Sequence, residues 1–105
     1  MSRRARSPIH AVCKPWPFPP KPGQRRHKPL CRWVCRGPVR GAEFADRRDP
    51  TRRAVLHPST KKAGQWQVSV FDDGGAVGDV VRDTCTQALA DRDVTPSRWK
   101  LVAVE

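Results

Sequence analysis

Five side chains between His10 and Cys35 are of the types that hold zinc: His10, Cys13, His27, Cys31 and Cys35. They fall as His10-x-x-Cys13, His27-x-x-x-Cys31 and Cys31-x-x-x-Cys35. Zinc takes four nitrogen or sulfur ligands at tetrahedral angles, usually from two close pairs. The pairs here would be His10 with Cys13 and Cys31 with Cys35, but neither is a CxxC, and prolines crowd the chain between them. The sequence predicts no bound cofactor; a structural zinc on Cys13, His27, Cys31 and Cys35 is a minor variant. Two disulfides would need an oxidising compartment. No apolar stretch follows the basic start, so no secretory signal is read, and a cytoplasmic chain with reduced thiols is expected. Cys85 is expected on the buried face of a helix.

A second constellation is basic. Arg25, Arg26, Lys28, Arg32 and Arg36 are spaced to meet phosphates, with Trp33 among them to stack on an unpaired base. No helix-turn-helix, finger or RNA-recognition signature accompanies them, so binding would depend on charge and salt rather than base sequence. Lys14-x-x-Pro17-x-x-Pro20 has the form of an SH3 ligand, a stiff extended helix with little entropy left to lose. Catalysis has less to work with. Asp72 and Asp73 are adjacent, but two carboxylates beside Gly74-Gly75 read as turn chemistry. His57 precedes Pro58 with no evident partner. Neither a phosphate loop nor a nucleophile elbow is present, and no enzymatic activity is expected.

The elements that must position these residues divide the chain in two. Of 105 residues, 21 are Lys or Arg and 10 are Asp or Glu, a formal charge of +11. Residues 1–62 hold 17 of the basic residues against 3 acidic ones, and 10 of the 11 prolines. Residues 63–105 hold 4 basic and 7 acidic. Repelling charges and prolines predict a largely disordered basic Pro/Arg-rich arm over 1–62, with a polyproline stretch from Pro15 to Pro22. The composition also fits a GC-rich leader read in frame, with a native start near Val55. No run of 18 apolar residues occurs, so no membrane-spanning helix is expected.

Residues 63–105 predict a small α+β module, a ββαβ unit of three strands and one short helix. Gln65 to Val70 alternates polar and apolar, the period of a half-buried strand. Asp72-Asp73-Gly74-Gly75 signals a hairpin. A two-residue turn would pair Val68 with Asp79 and bury a carboxylate. A three-residue turn with a left-handed glycine pairs Val68 with Val80 and Ser69 with Asp79, and is preferred. The return strand is then Ala76 to Arg82. Thr84 with Gln87 forms a capping box for a helix that buries Cys85, Ala88 and Leu89. Arg98 to Val104 is the third strand, with Trp99, Leu101 and Ala103 on one side. Phe71, Val77, Val81, Val102 and Val104 then line a second sheet face, left for a partner, for self-association, or for Ala54-Val55-Leu56 folding back.

Two resemblances accompany this pattern. The order strand, Asp73-Gly74-Gly75, strand, Asp83-Thr84, Ala88-Leu89 resembles the start of HicB-like antitoxins over about 25 residues, with Arg82 where that family has glycine; it implies a partner that is a small toxic ribonuclease. The stretch from Cys13 to Arg36 is similar in composition to Trp- and Pro-rich cationic antimicrobial peptides, which implies affinity for anionic surfaces. The sequence thus predicts a binding or regulatory protein acting through protein–protein contact of its C-terminal module. The alternative is a nucleic-acid-associated protein whose basic arm holds the phosphate backbone.

Overall fold

A computed structural model describes residues 8–15, 18–25, 29–37 and 39–105. Among them are seven strands and one helix: β1 (Ile9–Lys14), β2 (Leu30–Cys35), β3 (Ala42–Asp46), β4 (Arg53–Pro58), β5 (Trp66–Asp72), β6 (Gly75–Arg82), α1 (Cys85–Asp91) and β7 (Trp99–Val104). The protein is therefore mostly β. This corrects the expected three-stranded ββαβ module behind a disordered arm, because residues 1–62 supply four of the strands. β1 and β2 form an antiparallel hairpin; the other five form one antiparallel sheet in the order β6-β5-β4-β3-β7.

The physical reason lies in short alternating runs inside the basic segment. In Ala42-Glu43-Phe44-Ala45-Asp46 the first, third and fifth side chains are buried; in β4, Ala54 and Leu56 are buried between half-exposed or exposed neighbours. That is strand period over only five residues, flanked by Pro and Arg. The turn between them is built by carboxylates. Asp49 Oδ1 accepts from Thr51 N–H at 3.0 Å and from Thr51 Oγ1 at 2.6 Å. Asp46 Oδ1 accepts from Arg48 N–H at 2.9 Å. Ala54-Val55-Leu56 does not fold back over the sheet: it is the middle strand, pairing with both β3 and β5. The composition step at Lys61-Lys62 is the β4–β5 loop, where Ser59 Oγ accepts from both lysine N–H groups at 3.1 Å. β3 lies upstream of Val55, so a start there would remove a strand from inside the sheet.

The C-terminal elements follow the sequence closely. The pairing is Val68 with Val80 and Ser69 with Asp79, as expected. The hairpin tip is tighter: Asp72 pairs with Gly75, which has φ +114°, and a bulge at Val77 supplies the extra residue that restores the register. The α1 cap is Thr84, whose hydroxyl accepts from Gln87 N–H at 3.1 Å, and α1 buries Cys85, Ala88 and Leu89. The helix ends with Asp93 at φ 56°. There Val94 N–H donates to Leu89 O and Asp93 N–H to Ala90 O, the Schellman arrangement.

One face of the sheet carries the core. Phe44, Leu56, Val68, Leu89 and Val94 are its largest fully buried side chains. α1 covers part of this face and the β1–β2 hairpin another, with Trp33 and Phe44 ring centroids 5.5 Å apart. The hairpin is crosslinked by a Cys13–Cys31 disulfide, where the sequence predicts reduced thiols. Cys13 and Cys31 are directly opposed in the ladder, a juxtaposition that only strand pairing reveals.

Candidate anion-binding cleft

The sequence-predicted zinc ligands do not converge. Cys13 is bonded to Cys31. His10 is an odd number of residues from Cys13 on β1, so its side chain leaves by the opposite face. Cys31 and Cys35 share a face of β2 but stand four residues apart, about 13 Å along a strand. His27 lies outside the described residues, and among those described no group of three or more ligating side chains is close enough for a metal.

The basic set is also redistributed. Trp33 is in the core, 8% exposed, and is not free to stack on a base. Arg25 and Arg36 are exposed and Arg32 is half-buried. Arg26 and Lys28 lie outside the described residues, as do Trp16 and Pro17 of the proline stretch.

The residues predicted to meet a partner do not form one patch. Phe71, Val77 and Val102 are exposed. Val77 is the bulged residue of β6 and Val102 that of β7, the two edge strands. Four strand spacings separate those edges, about 19 Å. Val81 is half-buried beside Gln67. Val104 belongs to the other face: the bulge at Val102 shifts the alternation, so Val104 packs against the core with Leu101, and Ala103 is exposed instead. Between these residues the outer face is polar. Arg53 pairs with Glu43 at 2.9 Å, and Gln67 Nε2 donates to Asp79 Oδ2 at 2.8 Å.

A different group of residues does converge. The β3–β4 turn, the end of α1 and the start of β7 meet at one end of the sheet. There Arg52, Arg92 and Arg98, with Val70, Asp93 and Trp99, line a cleft of about 150 Å³. Arg52 is held by the turn: its N–H donates to Asp49 O, and its carbonyl accepts from Asp46 N–H. Arg92 caps α1, and its guanidinium lies over Gly78 of β6, with Nη2 only 2.7 Å from where a Cβ would stand. Arg98 is fixed by the buried Asp46 carboxylate, 3.5 Å from its Nε.

Arg52 and Arg92 differ from Arg98 in one respect. The Nε of each is buried without a hydrogen-bond partner, and among the described residues neither guanidinium is in an ion pair. A buried, unmet charged donor is costly. Guanidinium groups meet a tetrahedral oxyanion through forked, charge-assisted hydrogen bonds. Three guanidinium groups outweigh the Asp93 carboxylate on the wall and the Asp46 carboxylate behind Arg98. The volume suits a phosphate-sized group and falls short of the roughly 300 Å³ at which drug-sized ligands begin.

Sequence reasoning missed these three arginines. One signal was present: Arg47-Arg48 and Arg52-Arg53 flank Asp49-Pro50-Thr51, a turn composition that concentrates charge at one hairpin tip. That Arg92 and Arg98 share this end follows only from the pairing of β7 with β3.

The expected turn role of Asp72 is seen directly: its Oδ1 accepts from Gly74 N–H at 2.8 Å. His57 lines a second cleft of about 150 Å³ with Glu43 and Glu105, and its Nδ1 is 2.9 Å from Pro58 O. No family model matches the chain, and comparison with curated proteins and with solved structures finds no similar one. No helix among the described residues is long and apolar enough to cross a membrane.

Proposed function

We propose that this protein binds nucleic acid through the phosphate backbone, without base-sequence preference and without a chemical step. The observation that carries the proposal is the cleft lined together by Arg52, Arg92 and Arg98, where among the described residues Arg52 and Arg92 are in no ion pair. One backbone phosphate fits it. Arg47 and Arg48, exposed in the adjoining turn, extend the positive surface beyond the cleft. The formal charge of +11 supplies long-range attraction and counterion release. With Trp33 in the core, stacking on unpaired bases is not part of the proposal.

A protein partner, the other reading of the sequence, finds less support. At the β5–β6 tip it would hold mainly Phe71 and Val77, since Val102 is on the far edge.

Fluorescence anisotropy of two unrelated labelled duplexes of about 20 base pairs tests the proposal. Both are expected to bind with similar affinity, weakening steeply between about 50 and 200 mM salt. No binding at low salt, or a strong preference for one duplex, would overturn it.

A further inference from the structure

The two cysteines outside the disulfide are neighbours in space, though 50 residues apart in the chain. Cys35 is the last residue of β2 and Cys85 the first of α1. The Cys35 N–H donates to Thr86 Oγ1 at 3.5 Å, which sets the end of β2 against the first turn of the helix. The Cys35 side chain packs against the core that contains Cys85, opposite the buried Ile9 in the hairpin ladder.

We propose that Cys35 and Cys85 form a second disulfide, which fastens the β1–β2 hairpin to the five-stranded sheet through α1. The existing Cys13–Cys31 bond lies within the hairpin and cannot do this. The hairpin is otherwise held by the packing of Ile9 and Trp33 and by the Thr86 contact.

A small-molecule disulfide such as glutathione disulfide is a sufficient oxidant. One thiol of the pair loses its proton and attacks one glutathione sulfur, and glutathione leaves as thiolate. The other, as thiolate, then attacks the protein sulfur of the mixed disulfide and displaces the second glutathione. Two protein thiols become one S–S bond, and one glutathione disulfide becomes two glutathione molecules. The thiol environments agree with direct contact. Cys85 is held below its usual value chiefly by the hydrogen bond from Cys35, and Cys35, as the donor, is pushed up.

The test is non-reducing peptide mapping of the full chain after equilibration with glutathione disulfide. Trypsin places the four cysteines on separate peptides, 7–25, 27–32, 33–36 and 83–92. Peptide 33–36 is expected linked to 83–92, and 7–25 to 27–32. The thermal midpoint is expected to rise on oxidation by at least about 5 °C, and not to rise in C35S. A C13S/C31S variant, which keeps only the pair in question, is expected to lose both free thiols. Free or separately glutathionylated 33–36 and 83–92 would overturn the proposal, as would a link from 33–36 to 27–32.

Discussion

Gly78 lacks a side chain at the one place on β6 where the Arg92 guanidinium needs room. A methyl group there would stand 2.7 Å from Nη2 and 3.3 Å from Cζ of Arg92. The obstructed atoms are the far end of a flexible side chain, so the sheet need not move; the arginine must. Gly78→Ala is therefore expected to lower duplex affinity by roughly three- to tenfold while stability changes by less than about 1 kcal/mol, since alanine also reduces the freedom of the unfolded chain. Anisotropy and urea unfolding on the same samples check both halves. Unchanged affinity would mean that Arg92 does not touch the ligand. Residue types alone gave an incomplete picture at this scale. Trp33 has the look of a stacking residue among arginines, but in an alternating strand its neighbours' charge says nothing about its own direction. Its side chain points inward with Ile9 and Cys35, against Phe44.

Elements whose signals are local were legible; those defined by distant partners were not. The β5–β6 register followed from keeping Asp79 off the apolar face, and the fold meets that demand with a bulge at Val77. The α1 cap and buried face followed from Thr84 and a helical period. The bulge at Val102 left no such signal, so the inward side of β7 was read correctly for Trp99 and Leu101 and wrongly for Val104. Both edge strands thus carry a bulge, a feature that discourages edge-to-edge pairing with other chains. The β3–β4 turn gives a pH prediction. Hydrogen bonds from the Thr51 hydroxyl and N–H hold the Asp49 carboxyl below its ordinary value of 3.8. Its contribution to stability is then complete above that value and lost as pH falls through the lower, folded-state value. The stability difference between the wild-type chain and Asp49→Asn is expected to be constant above about pH 5 and to shrink between about pH 4 and pH 2. Urea midpoints across that range measure it; a difference that grows on acidification would contradict the turn assignment.

At the scale of the molecule, composition misled because it averages. The first 62 residues are proline-rich and strongly basic, yet β3 and β4 lie within them as two short alternating runs, paired with each other and each with a strand of the second half. β3 is completed by β7, more than 50 residues away, and β4 by β5 across the lysine loop. The same long-range pairing brings Arg52, Arg92 and Arg98 to one end of the sheet, so the site was hidden for the reason the fold was hidden. The most direct measurement on the cleft is the salt dependence of duplex binding by an Arg52→Gln/Arg92→Gln chain beside the wild type, with circular dichroism confirming that both are folded. Losing one phosphate contact flattens the slope of log K against log salt by about 0.9. The proposal predicts that the variant's slope is flatter by about 0.9 and that its affinity at about 50 mM salt is at least several-fold lower. Equal slopes and equal affinities in two folded chains would contradict it.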